Sequence, residues 1–97
     1  MDDFNEVKLI TGEFKPGEAE EILFSIIEDK IRFNSRQIFS YEERGIDGAE
    51  RYNKRIEELQ QSKDKIAAII NRSKAENKIL SIESSIVIKE KPEITDN

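Results

Sequence analysis

Five of the six arginines in this chain fall between Arg32 and Arg55: Arg32, Arg36, Arg44, Arg51 and Arg55. With Lys30 and Lys54 they give residues 30–55 seven basic side chains against four acidic ones, whereas the rest of the chain carries nine against seventeen. Phe33, Phe39, Tyr41 and Tyr52 are interleaved with them. Guanidinium groups pair bidentately with carboxylates and stack on aromatic faces, so the chemistry on offer is recognition. The expected site is Arg32, Arg36, Arg44, Arg51, Arg55, Phe33, Phe39 and Tyr41, binding an acidic protein partner. Recognition of nucleic acid or phosphate by the same arginines is the alternative. Arg32/Arg36 and Arg51/Arg55 are like-charge pairs four residues apart, each costing an isolated helix about 0.2–0.5 kcal/mol. Glu28 and Glu50 are spaced to offset Arg32 and Lys54. The remainder calls for Glu42 and Glu43 across a turn, a second subunit, or a ligand.

Catalytic chemistry has little to stand on. The chain has no His and no Cys, which removes the commonest general base and metal ligand and every thiol nucleophile. Its carboxylates cluster as sequence neighbours (Glu18/Glu20/Glu21, Glu42/Glu43, Glu57/Glu58), a pattern of solvated faces and not of a pair with separated pKa values. No P-loop, EF-hand, G-x-G-x-x-G or G-x-S-x-G pattern occurs. Lys63 sits at a core-type position, where its stem packs while its ammonium reaches water. The expectation is a protein that is not an enzyme, with no catalytic residue, cofactor or metal.

The net charge of −5 disfavours diffuse binding to nucleic acid or anionic lipid. No apolar run approaches the ~18 residues that a membrane helix needs. Met1-Asp2-Asp3 is acidic where a secretory signal is basic and then apolar. A cytoplasmic, non-membrane protein is expected.

The element that positions the arginines is the stretch from Ala49 to Leu80. Ala49, Tyr52, Ile56, Leu59, Lys63, Ile66, Ile70, Ser73, Asn77 and Leu80 recur at alternating steps of three and four, a heptad seam. It predicts a helix over 48–77. Asp47 and Glu50 match a capping box at its start. An earlier helix is predicted over 16–41, opened by Pro16 and by Glu18, Glu20 and Glu21 against the helix dipole. Its apolar stripe is Ala19, Ile22, Leu23, Ile26, Ile27, Ile31 and Ile38, wider than one partner helix requires, with a bend or pause at Asn34-Ser35. Residues 42–48 form the turn.

Strands are predicted over 6–14 and 79–89. In the first, Val7, Leu9 and Thr11 share one face, Lys8 and Ile10 the other, and Gly12 marks a bulge or fraying end. Leu80, Ile82, Ser84, Ile86 and Ile88 alternate in the second. Residues 1–5 and 92–97 read as polar tails of a single domain covering 1–97. The fold class is α+β, a β-α-α-β chain with a long antiparallel helical hairpin and a short two-stranded ribbon. The hairpin, at roughly 45 Å, outruns a ribbon of about 30 Å. In element order alone, strand-helix-helix resembles ribbon-helix-helix DNA-binding proteins. The long helices, the second strand and the acidic residues 1–6 depart from that pattern, so a DNA-reading role does not carry over.

A two-stranded ribbon is marginal by itself in water. The ribbon edges and the surplus apolar face of the first helix, from Phe24 through Ile31 to Ile38, lead to an expected homodimer. It would form by edge-to-edge joining of ribbons or by a four-helix bundle.

Overall fold

The heptad seam is the inner face of a helical hairpin. The computed structural model describes residues 3–93 and has an α+β fold in the order β1 (Asp3–Phe14), α1 (Pro16–Arg44), α2 (Glu50–Ala75), β2 (Leu80–Glu90). Residues 1–2 and 94–97, most of the predicted tails, lie outside the described residues. Within α2 the side chains withdrawn from solvent are Tyr52, Ile56, Leu59, Lys63, Ile66, Ile70 and Ser73, the seam itself, with Ala67 beside it. The apolar 3-4 spacing thus sets which face of α2 meets α1.

Helix α1 carries two stripes where one wide stripe was expected. Phe24, Ile27, Ile31, Asn34, Ile38 and Tyr41, again three and four apart, are all at least half-buried and form the seam toward α2. Leu23, Ile26 and Phe33, three and seven apart, lie on a second line turned toward the ribbon. Phe24, Ile31 and Ile38, expected as surplus, are therefore used inside the hairpin. Asn34 does not interrupt α1. It sits buried in the seam and its Nδ2 donates to the Lys30 carbonyl at 2.8 Å, so its amide is satisfied within its own helix.

Both helices end in the same way. The Ile46 N–H donates to the Tyr41 carbonyl and the Gly45 N–H to the Glu42 carbonyl, at 3.0 and 3.2 Å. At the end of α2 the Lys78 N–H donates to the Ser73 carbonyl at 2.9 Å, and the Asn77 N–H to the Lys74 carbonyl at 3.4 Å. These are two Schellman caps, with Gly45 (φ 62°) and Asn77 (φ 55°) as their left-handed residues. At the start of α1, Pro16 occupies the first turn and the Lys15 N–H donates to Glu18 Oε1 at 3.0 Å. The cap expected from Asp47 is not formed. The residue before α2 is Ala49, and it caps through its backbone alone. The turn is correspondingly shorter than expected, because α1 continues to Arg44 before Gly45 reverses it.

The strands pair antiparallel, from Phe14 opposite Leu80 out to Asp3 opposite Glu90. At roughly 40 Å the ribbon matches the hairpin in length, correcting the shorter ribbon expected from sequence. Asp3, Phe4 and Asn5, expected in the polar tail, extend it by pairing with Glu90, Lys89 and Ile88. Gly12 pairs regularly with Ile82, and the irregularity falls three residues earlier. Lys8 opposes Ser85 and Ile10 opposes Ser84, leaving Leu9 as the extra residue of a β-bulge. The bulge reverses the expected facing. Val7 and Ile10, predicted on opposite faces, now share the face of Leu80, Ile82, Ile86 and Ile88.

That apolar face turns toward the hairpin but is covered over only half its length. Near the strand–helix junctions Ile10 is buried, and Leu80 and Ile82 lie beside Leu23, Ile66 and Ile70. Farther out the ribbon diverges from the helices and few contacts join them. Among the described residues the buried apolar core is only Ile10, Ala19, Ile27, Leu59 and Ile70.

Candidate functional site

The interhelical turn brings Tyr41 and Tyr52 together edge to face, with ring centres 5.4 Å apart and planes at 75°. Both lie on the hairpin seam at its last turn, so the helical register places them. Arg51 lies over the Tyr52 ring, its guanidinium carbon 4.7 Å from the ring centre. Its Nη2 donates to the Tyr52 hydroxyl at 2.7 Å and the Tyr41 hydroxyl at 3.0 Å. Arg44 covers the Tyr41 ring at 5.7 Å and its Nε donates to the Ser40 carbonyl at 3.4 Å. Each cation meets the negative face of a ring, and Arg51 also bridges the two helices.

This arrangement shifts two titrations. The Tyr52 hydroxyl hydrogen-bonding to its oxygen, and then Arg51, hold the Tyr41 phenol below the ordinary phenol value. The hydrogen bonds to Tyr41 and Tyr52 in turn raise Arg51 above the usual guanidinium value. The cluster therefore favours a permanently charged Arg51 and an easily ionised Tyr41.

The predicted site residues do not form one surface. Arg44, Arg51 and Tyr41 join the tip cluster with Tyr52, which the sequence reading placed in the same window but not among the binding residues. Arg32 pairs with Asp29, three residues before it, instead of Glu28. Glu28 reaches across the hairpin to Lys63 Nζ at 3.2 Å, and that ammonium also lies 5.2 Å from the centre of the Phe24 ring. Arg55 pairs with Glu58 at 3.7 Å. Glu42, Glu43 and Glu50 form no ion pairs among the described residues.

Arg32, Arg36 and Phe39 share the outer face of α1 by their spacing. Arg36 has no ion-pair partner among the described residues, and Phe39 is 62% exposed. Phe33 leaves the tip altogether. It lines an open cleft of about 470 Å³ between α1 and the ribbon, with Leu9, Ile26, Asp29, Lys30 and Ile86. Simple alternation hid Leu9 and Ile86 as a common wall, because only the bulge brings them to the cleft.

Among the described residues no group of acidic side chains is placed to hold a metal ion, and no helix is long and apolar enough to cross a membrane. Compared with known proteins, the chain matches no family model, and no curated protein or solved structure matches it significantly.

Proposed function

We propose that this chain is a small non-enzymatic interaction module of the cytoplasm that self-associates and presents the tip of its helical hairpin to an acidic protein partner. The supporting observation is the outer face of α1, where Arg36 has no ion-pair partner among the described residues and Phe39 is largely exposed next to it. A solvent-facing aromatic beside an uncommitted guanidinium has the composition of an interface hot spot. The tyrosine–arginine cluster at the turn gives that face a braced end, so less order has to be imposed on binding. Arg44 and Arg51 are committed to the tyrosine rings, and Arg32 and Arg55 to carboxylates. Within residues 30–55 only Lys30, Arg36 and Lys54 are then left without an ion pair or ring contact among the described residues, too few at the tip for the phosphate-tracking stripe of a nucleic-acid binder.

The test is binding of an acidic, aromatic-containing peptide to the intact chain, compared with Arg36→Glu and Phe39→Ala variants. Loss of binding in both, with an unchanged circular-dichroism spectrum, is expected. Equal binding by all three proteins would rule out the tip as the docking face. A low-salt mobility shift with RNA or DNA that weakens steeply with added salt would favour the phosphate reading instead.

A further inference from the structure

The chain has more surface than a self-sufficient fold of its mass. A compact protein of 11.3 kDa exposes about 5,700 Å², whereas this one exposes 7985 Å². Its radius of gyration is 17.5 Å against about 12.5 Å for a compact chain of this length. The excess is roughly 2,200 Å² on that scaling, and part of it is apolar surface around the cleft. Val7, Leu9, Ile86 and Ile88 on the outer half of the ribbon are between 40% and 53% exposed, and Phe33 on α1 is 49% exposed. Leu9 and Ile86 form one wall of the cleft, Ile26 and Phe33 the other.

We infer that a second copy of this chain closes the cleft, each copy seating the outer half of its ribbon against the Ile26–Phe33 stripe of the other. This rests on the self-association half of the proposed function and names the surface that carries it. Three observations select a copy over other occupants. First, about 2,200 Å² from each chain gives a buried total inside the 2,000–5,000 Å² of obligate homodimers. Second, the cleft rim carries one charge of each sign, Asp29 and Lys30, so it offers no handle to an acidic or a basic partner. Third, five buried apolar side chains are too few to hold the ribbon to the hairpin, so the cover must be present whenever the chain folds, and a second copy always is.

The clasp is also self-complementary, as a two-fold interface requires, because ribbon meets stripe twice. Joining ribbons edge to edge would leave both apolar walls in water. A four-helix bundle through Phe24, Ile31 and Ile38 is unavailable, since those side chains already face α2.

The experiment has two arms. Light scattering on the full chain at micromolar concentration is expected to give twice the 11.3 kDa of one chain; a single-chain mass overturns the proposal. The chain has no cysteine, so in an equimolar mixture of Leu9→Cys and Phe33→Cys proteins every disulfide must join two molecules. Air oxidation is expected to yield mainly the mixed Leu9–Phe33 product. Like-with-like products alone, or none, overturn the clasp. Arg36→Glu and Phe39→Ala leave both readouts unchanged, so failure of the tip reading and failure of the clasp are seen separately.

Discussion

Arg51 on α2 donates to the Tyr41 hydroxyl on α1 at 3.0 Å, tying the two helices one turn from the loop that joins them. The bond has a pH signature. The Tyr52 hydroxyl first, and then Arg51, hold Tyr41 below the ordinary phenol value, so ionisation favours the folded state. The resulting stabilisation is present above the ordinary phenol pKa and is lost as pH falls through the lowered value. In an alkaline titration followed by phenolate absorbance, Tyr41 is expected to ionise below the ordinary value, and a Tyr41→Phe control assigns that step. Arg51→Ala removes a donor and a positive charge, and returns Tyr41 toward the ordinary value. No change on removing Arg51 would contradict the geometry.

Gly45 and Asn77 hold equivalent places in two caps but differ in what they tolerate. At Gly45 a Cβ would meet nothing within 4 Å, so the cost of Gly45→Ala is that of the left-handed backbone alone. It is expected to be about 1–2 kcal/mol in urea unfolding. Asn77 tolerates the same conformation with a side chain in place, so Asn77→Gly is expected to stay within about 0.5 kcal/mol of the parent. A loss at Gly45 no larger than at Asn77 would contradict the cost assigned to its left-handed backbone.

Lys63 is partly withdrawn from water, with its stem in the seam and its ammonium between Glu28 and the Phe24 ring. Both charges keep substantial solvent contact, so the ion pair itself contributes less than about 1 kcal/mol. A double-mutant cycle of Glu28→Gln and Lys63→Met is expected to give a coupling below that value. Lys63→Met alone is expected to be neutral or stabilising, because it keeps the volume of the stem and removes a charge from the seam. A loss of several kcal/mol would show the pair to be structural.

What the sequence made legible follows from which periodicities are unambiguous. In α2 Ile66 and Ile70, which meet the ribbon, are also members of the seam, so the 3-4 steps from Tyr52 to Ser73 gave the buried face directly. In α1 two partners share the helix. Ile26 and Ile27 are adjacent in sequence yet face the ribbon and α2 respectively, and a merged stripe cannot say which residue serves which. The capping box at Asp47 failed for a local reason: Gly48, at φ 111°, redirects the chain and leaves Ala49 as the cap. The basic window was visible as composition. Its division into braced, ion-paired and uncommitted arginines was not, because Arg51 finds Tyr41 only once the hairpin has closed, and Glu28 is drawn from Arg32 to Lys63.

The bulge at Leu9 supplies the sharpest test of the ribbon. Lys8 and Ile10 oppose consecutive residues, Ser85 and Ser84, so removing Leu9 leaves every other partner and every facing unchanged. Removing Thr11 instead closes the ladder by moving Ile10 opposite Glu83 and Leu9 opposite Ser84, which turns Ile10 to the opposite face, since side chains alternate with a period of two. Deletion of Leu9 is therefore expected to preserve the strand pairing, read as cross-strand backbone NOEs between Val7 and Ile86 and between Ile10 and Ser84. Deletion of Thr11 is expected to abolish the contact between Ile10 and Ser84 while keeping that between Val7 and Ile86. Loss of the outer pairs in the Leu9 deletion would show that the bulge is needed to bend β1 along the hairpin, and that the extra residue sets the course of the strand as well as its facing.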